Sequence, residues 1–485
     1  MESEDNKIIL YPAGAGGRDA ADIFSFYGFD TELMDDNSHA EGILSFEEGI
    51  KAAKNKNTAI VVNSDKYGVE LYEKVARAGI SKVFHYKDYL KKMLNGRLKK
   101  IAGNTDGAKT VAIFCPNSKK PLGDIPEHLS GKGVKTVFLT HIRKDYESGF
   151  YNGGALLINP AHITMLEGID LMIMTDGVPV PVNTKSLFIH HALDYSSALS
   201  LNSDSSVSLE TYYKAEFDFS EFNFASCRST FELTKKLTSI VKEYYGDKRE
   251  RCIIPGGYPS FDQNLAKFKE MSKETVRRDT ILYAPTPDYV RKEDIVKFTG
   301  ANTSFPSYSK DIIEALLENF PEYRVVFRIH PLHNKNPHID SILNGINNNN
   351  FVYDDGSGSY METFSRSTFL VSDISSVAYN FPLTTLRPTI FFNPVDFPSV
   401  VRAADTELKL SFVEHRERVG HVAKNIDEML FCAKKILETP DDVIQSGLKN
   451  FRDEFMFNIG KSAEYLADNI EYIIEGKKHP DWCYI

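Results

Sequence analysis

Thr368-Phe369-Leu370-Val371-Ser372-Asp373-Ile374-Ser375-Ser376-Val377-Ala378-Tyr379-Asn380-Phe381 is the stretch on which the reading of this chain turns. An apolar, β-rich run stops at Ser-Asp-Ile-Ser-Ser, and a helix-like segment follows. Arg387-Pro388-Thr389-Ile390-Phe391-Phe392 then reads as the next buried strand. A strand that stops at small hydroxyl residues opening a helix is a ready anion site. The helix start offers free backbone N–H groups and a positive dipole end, and the serine hydroxyls add donors. The competing reading is that Asp373 or Ser375 is only an N-cap.

The residues before this stretch supply its neighbours. Asp279 to Thr286 opens a sheet, and Ile312 to Leu317 is helical. Tyr323 to Pro331 is a strand ending in Arg328, His330 and Pro331. Phe351-Val352-Tyr353 is a short strand, and Met361 to Arg366 a helix. Adjacent parallel strands would bring Pro285-Thr286, Arg328 with His330, and Ser375 with Ser376 to one edge. A cation, an imidazole, hydroxyls and a helix start together suit a diphosphate.

The bulk numbers fit a globular protein of about three domains by the usual ~100–200 residues each. The chain has 485 residues, 42% hydrophobic and 26% charged, with a net charge of −10. That balance argues against broad nucleic-acid binding, which leaves a basic footprint. The five cysteines are scattered without C-x-x-C spacing, so neither a disulfide framework nor a zinc site is expected. The start, Met1-Glu2-Ser3-Glu4-Asp5, lacks a signal-peptide pattern. No apolar run approaches the ~18 residues that span a bilayer. The expectation is a reduced, cytoplasmic protein, with a peripheral contact on the cytoplasmic membrane face as an added option.

At the beginning, Lys7 to Tyr11 is a strand running into Pro12-Ala13-Gly14-Ala15-Gly16-Gly17-Arg18-Asp19, then a helix over Ala20 to Tyr27. Phe29 to Met34 is the next strand, ending in Asp35-Asp36. This is a βαβ unit with a glycine turn and acidic residues about 20 positions on. Asp19 replaces the third glycine of the dinucleotide fingerprint, so a Rossmann-like fold is expected here more firmly than a bound dinucleotide. Tyr89 to Ile101 is basic and amphipathic. It suits either an anionic membrane surface or a solvated connecting helix, and Gly96 interrupts it.

The middle region repeats the strand rhythm at Thr110 to Cys115, Lys135 to Thr140, Leu156 to Ile158, Leu171 to Thr175 and Ser186 to Asp194. Strands spaced by crossovers predict a second parallel-sheet domain. Its last strand carries His190 and His191, and ligands of open α/β sheets sit outside the carboxyl ends of strands. Either histidine is a candidate base. Phe222 to Ser226 and Cys252 to Ile254 are further strands, Thr230 to Tyr245 a helix, and Leu265 to Arg278 a polar linker helix.

Residues 110 to 470 resemble the CDP-glycerol glycerophosphotransferase family, the teichoic-acid polymerases and primases. The matching stretches are the strand ending at His191, Gly257-Tyr258-Pro259 with Asp262, Ile281 to Thr286, Arg328-Ile329-His330-Pro331, and Ser372 to Ser376 with Arg387 to Phe392. The resemblance implies a GT-B-like pair of Rossmann-type domains, here after a small Rossmann-like one. The implied ranges are 1–103, 108–270 on the acceptor side and 278–485 on the nucleotide-donor side. It implies transfer of a polyol phosphate, glycerol phosphate first, from a CDP-polyol to an acceptor hydroxyl, with release of CMP. The acceptor would be a glycan or a lipid-linked molecule of teichoic-acid, capsule or surface-polysaccharide synthesis.

By the same resemblance, His191 is the expected base on the acceptor hydroxyl, and His330 holds or protonates the donor phosphates. Ser375 and Ser376 bind the diphosphate, and Thr286, Arg328, Pro331 and Asp373 line the donor pocket. His190, Gly257 and Asp262 are further candidates. Nothing in the resemblance demands a metal or a cofactor beyond the CDP-polyol substrate. His191-Ala192 stands where the family has His-Gly, Ser260 where it often has arginine, and Ile374 where it often has tyrosine. A GT-B glycosyltransferase using a CMP- or UDP-sugar is the alternative. A non-hydrolysing sugar-nucleotide epimerase and a non-catalytic binding member stand behind it.

Overall fold

The computed structural model describes residues 7–37, 40–55, 57–103, 107–116, 120–151, 154–190, 192–194, 196, 199, 206–272, 277–286, 304–330, 336–396 and 398–485. The chain divides into two compact units. One comprises residues 1–116, 135–169 and 179–184, and the other residues 117–134, 170–178 and 185–485.

In the first unit, β1 (Lys7–Tyr11), β2 (Asp30–Asp35), β3 (Ile43–Ser45), β4 (Thr58–Val62) and β5 (Val83–His85) form a five-stranded parallel sheet of order β3-β2-β1-β4-β5. Strands β6 (Thr110–Phe114), β7 (Lys135–Thr140) and β8 (Ala155–Leu157) run parallel in the order β6-β7-β8. The glycine turn folds more tightly than expected. The helix spans Ala15–Phe26, so Gly16 and Gly17 lie inside its first turn rather than before it. A Cβ on Gly17 would sit 2.1 Å from the Pro12 carbonyl oxygen, which is why only glycine fits there. The Asp35 carboxylate accepts the Ala13 N–H at 3.2 Å, Asn63 Nδ2 donates to the Gly16 carbonyl at 2.6 Å, and Asp36 pairs with Lys74 at 2.5 Å. Asp35 at the end of β2 is thus committed to the turn, and Asp36 to Lys74 of the helix Gly68–Arg77.

The basic stretch is one continuous helix, Tyr86–Ala102, through Gly96. Tyr89, Leu90, Met93, Leu94 and Leu98 are buried, so its apolar face packs on its own unit. Packing outweighs the ~1 kcal/mol that a mid-helix glycine costs.

The second unit holds two parallel sheets. β9 (Leu171–Met174), β10 (Lys185–Ile189), β11 (Phe222–Ala225) and β12 (Cys252–Pro255) run parallel, and β21 (Cys483–Tyr484) closes antiparallel on β12. Just before β21, Trp482 packs edge-on against Phe222 and donates from Nε1 to Tyr465 Oη at 2.9 Å. The other sheet has six parallel strands: β13 (Thr280–Tyr283), β14 (Arg324–Arg328), β15 (Phe351–Asp354), β16 (Ser367–Ser372), β17 (Thr389–Phe392) and β20 (Gly420–Ala423). Their order, β15-β14-β13-β16-β17-β20, is the Rossmann order 3-2-1-4-5-6. A hairpin of β18 (Val400–Ala403) and β19 (Thr406–Lys409) is inserted before β20. The α/β class and the GT-B-like pair of Rossmann-type sheets are therefore what the chain forms.

Both faces of the six-stranded sheet are covered, as near-continuous apolar strands require. Ile281, Tyr283, Phe327, Phe369 and Val371 pack against the helices Ser309–Asn319 and Ile426–Glu438. Leu282, Val326 and Leu370 face Phe268, Met361, Phe364 and Phe381. Each fully buried side chain of this size contributes about 1.5–3 kcal/mol. Phe268 belongs to the helix Pro259–Met271, which corrects the expected polar linker from Leu265. Pro259 opens that helix, and Phe261, Leu265 and Phe268 recur at helical spacing and are buried. β10 also stops at Ile189, five residues short of the expected strand end at Asp194. Ala192, Leu193 and Asp194 are buried beyond the strand by tertiary contacts instead. Among the described residues no helix is long and apolar enough to cross a membrane.

Candidate active site

The carboxyl edge of the six-stranded sheet collects most of the expected donor groups. Tyr283 is level with Phe327 on one side and Val371 on the other. The next residues, Ala284, Arg328 and Ser372, are therefore in line, and the chain turns off at the same edge. The sheet order changes direction between β13 and β16, the crevice where open α/β sheets bind ligands. His330, two residues past β14, is exposed. The helix Val377–Thr385 starts here, with Ser376 at its N-cap and exposed, and Ser375 half-buried. The Ser376 side chain makes no capping bond, while the Ser375 hydroxyl accepts the Val377 N–H at 3.4 Å. The N–H groups of Val377, Ala378 and Tyr379 are taken by the Ser375 hydroxyl and by the carbonyls of Ser375 and Ser376, so what this helix start offers a ligand is its serine hydroxyls and the positive end of the helix dipole.

Asp373 has a different place. Its carboxylate is 2% exposed. One oxygen accepts the Thr286 N–H at 2.9 Å and the Thr286 hydroxyl at 2.5 Å, and the other accepts the Ser304 N–H and hydroxyl, both at 3.0 Å. Burial pushes this carboxyl above its usual range, opposed by the four donors, which favour the ionised form. Asp373 and Thr286 therefore tie the turn after β16 to the turn after β13 and fix the floor of the crevice. Arg328 pairs with Asp354 and donates to the carbonyls of Gly356 at 3.2 Å and Gly358 at 2.7 Å, so its guanidinium braces the loop after β15. Arg387 is likewise internal: it donates to the carbonyls of Phe364, Ser365 and Ser367, and burial lowers it to about 10.

On the other sheet, His190 follows β10 and is 1% exposed. Its Nδ1 lies 3.9 Å from Glu216 Oε2, and its ring meets Phe188 edge-on at 5.3 Å. His191 and Pro331 lie outside the described residues. Gly257 has φ +97°, and a Cβ there would lie 2.3 Å from Ser462 Oγ and 2.7 Å from the Phe457 carbonyl. The Asp262 carboxylate accepts the N–H groups of Gly460 at 2.6 Å and Ser462 at 2.8 Å, where the helix Ser462–Asp468 begins. Both residues thereby seat the returning C-terminal helices on the helix Pro259–Met271.

Ser304 was not legible beforehand as part of this edge. Its partner Asp373 is 69 residues away, and no local pattern marks it. Among the described residues, no three His, Cys, Asp or Glu side chains are grouped to hold a metal ion.

Comparison with known proteins adds the chemistry. A model of the CDP-Glycerol:Poly(glycerophosphate) glycerophosphotransferase family matches residues 173–472. Among solved structures, the wall teichoic acid polymerase TagF is 16% identical, the match covering 85% of this chain and 99% of that one, with a TM-score of 0.45. A putative UDP-N-acetylglucosamine 2-epimerase from Listeria monocytogenes is 11% identical over 77% of this chain and 98% of that one, with a TM-score of 0.45. The UDP-GlcNAc 2-epimerase of Neisseria meningitidis bound to UDP-GlcNAc is 13% identical over 75% and 99%, also at 0.45. A search of curated proteins gives no match.

Proposed function

The chain belongs to the CDP-glycerol:poly(glycerophosphate) glycerophosphotransferase family, and from that premise we propose how its residues divide the work. It is a transferase of the CDP-glycerol glycerophosphotransferase type, in teichoic-acid synthesis. The acceptor hydroxyl oxygen attacks the phosphorus that carries glycerol. The bond from that phosphorus to the bridging oxygen breaks, and CMP leaves with that oxygen. The attacked phosphorus is already anionic, so catalysis is mainly positioning and charge stabilisation.

In our reading the helix start at Ser375-Ser376 holds the diphosphate, and His330 binds or protonates the phosphate that leaves as CMP. Thr286, Asp373 and Arg328 shape the crevice rather than touch the donor. Pro331, next to His330 in sequence, is kept on the donor side. His191 takes the proton of the acceptor hydroxyl. The burial of His190 favours His191 over it for that role, since an imidazole 1% exposed is withdrawn from solvent. Gly257 and Asp262 support the site from behind. The functional division we favour is 1–103, 108–270 for the acceptor and 278–485 for the donor. No metal or cofactor is assigned a step.

The observation that carries this reading is the alignment of the ends of β14, β13 and β16 at one sheet edge, with an exposed His330 and an uncapped Ser376 on it. The test is incubation of the full chain with CDP-glycerol and a glycerol phosphate oligomer. The expected result is CMP together with an oligomer heavier by one glycerol phosphate. Turnover of a CMP- or UDP-sugar in place of CDP-glycerol would overturn it.

The acceptor we place in the glycan or lipid-linked class. A peripheral membrane contact through Lys92, Lys99 and Lys100 of the helix Tyr86–Ala102 completes the proposal, with reaction on the cytoplasmic face. The apolar side of that helix is buried and takes no part. Co-sedimentation with phosphatidylglycerol vesicles but not with phosphatidylcholine vesicles is the expected signature.

A further inference from the structure

A buried polar path in the second unit links the two histidine-bearing halves of the proposed mechanism. It begins at Asp194, three residues after His191 and 3% exposed. Its carboxylate accepts the Ser196 N–H at 2.9 Å and the Ser411 hydroxyl at 2.9 and 3.1 Å to its two oxygens. The Ser196 hydroxyl lies 3.2 Å from that of Ser411 and accepts the Phe412 N–H at 3.0 Å. The Phe412 carbonyl accepts the Tyr379 hydroxyl at 2.7 Å. Tyr379 stands in the helix Val377–Thr385, three residues after Ser376.

The path is anchored and mostly buried: Asp194, Ser196, Phe412 and Tyr379 are buried, and Ser411 is half-buried. Next to Asp194, the Leu193 carbonyl accepts the Ser226 hydroxyl at 2.5 Å. The Tyr379 ring is packed against Phe412, Phe391 and Phe455 at 5.0, 5.8 and 6.4 Å. Taking a carboxylate out of water is costly, and an apolar contact would hold two loops together without that cost. What hydrogen bonds add is a fixed geometry.

We propose that Asp194 is a positioning residue: through Ser411, Ser196, Phe412 and Tyr379 it fixes the chain beside His191 relative to the helix that begins at Ser375-Ser376. The acceptor-side chain at 192–194 and the donor-side helix start are thereby held at one separation. This rests on the roles given above to His191 and to Ser375-Ser376.

The test uses the full chain with CDP-glycerol and a glycerol phosphate oligomer. Asp194→Asn, which keeps the shape and removes the charge, lowers kcat about 10²-fold, the scale of a misplacement near 1 Å. The CDP-glycerol Kd by calorimetry changes by less than about threefold, because the donor edge itself is intact. Ser411→Ala lowers kcat about tenfold, and the double variant is no worse than Asp194→Asn alone, since both cut one path. A kcat within twofold of the parent, losses that multiply, or a Kd rising in step with the fall in kcat would overturn the proposal. Hydrogen–deuterium exchange gives a readout independent of the reaction. In Asp194→Asn, segments 190–196 and 376–382 exchange faster together; acceleration of one alone, or of neither, overturns it. If the parent chain does not turn over CDP-glycerol, the assigned chemistry fails while the exchange result still judges the path. Should Asp194→Asn not fold, Ser411→Ala and Tyr379→Phe carry the same comparison.

Discussion

The sheet around β1 and the sheet around β13 share an order, 3-2-1-4-5, and a turn into a helix at the switch point. Their edges are spent differently. After β1, the groups that would meet a ligand meet each other: Ala13 is bound by Asp35, Gly16 by Asn63 and Asp36 by Lys74. Gly17 is pressed against the Pro12 carbonyl. After β16, one acidic residue, Asp373, goes inward and takes the internal bonds, which leaves Ser375 and Ser376 facing out. The same sheet order thus yields a closed turn in one case and an open one in the other. The position of a single carboxylate accounts for most of the difference.

The comparison can be broken by substitution. The largest effect is expected at His330. His330→Ala should lower turnover 10²–10⁴-fold with an unchanged circular dichroism spectrum, the range for losing an acid–base group. Arg18→Ala in the other turn should leave turnover as it is, and near-normal activity in His330→Ala would remove the donor edge from the mechanism. Next come the two carboxylates. Asp373→Ala leaves buried donors unpaired and should cost about 3 kcal/mol or more by denaturant unfolding. Asp35→Ala, at a partly exposed site whose bonds to the Ala13 and Asn37 N–H groups water can replace, should cost less, about 1 kcal/mol. Equal losses would contradict the division of labour drawn here.

Smaller effects sharpen the contrast. Gly17→Ala should destabilise the first unit by about 1–3 kcal/mol, since its Cβ meets a backbone oxygen that cannot swing away. Gly14→Ala, with open space at that position, should be close to neutral. Last, Ser375→Ala with Ser376→Ala should weaken CDP-glycerol binding about tenfold by calorimetry, the loss of one or two hydrogen bonds to an anion. Gly16→Ala should leave that affinity unchanged. An effect of Gly16→Ala on donor binding would assign the first sheet a share of the nucleotide.

Strand runs made much of the fold legible. The run Lys135–Thr140 matches its strand to the residue, and apolar runs mark every strand of the last sheet except β20. The expected grouping of His330, Thr286, Ser375 and Ser376 at one edge followed from parallel strands alone, because register carries neighbouring ends together. What stayed hidden depends on distant partners. Leu265 to Arg278 reads as polar because its exposed positions outnumber Leu265 and Phe268, whose burial depends on partners distant in the chain. Asp194 reads as the tail of a strand until Ser411, 217 residues on, is placed beside it. Arg328 and Asp373 look like ligands of a phosphate from their strand-end position, yet their bonds go to the loop after β15 and to Ser304.

The return of the chain to β12 has an experimental use. The sequence contains one tryptophan, and it is Trp482, wedged beside β21 and 5% exposed. Its emission therefore reports a single event, the docking of the closing strand against Phe222 and Tyr465. Excited selectively, the indole should shift to the red when that segment lets go. Melting of the first unit, which has no tryptophan, would pass unseen, so one spectrometer can time the two units separately when tyrosine is followed as well.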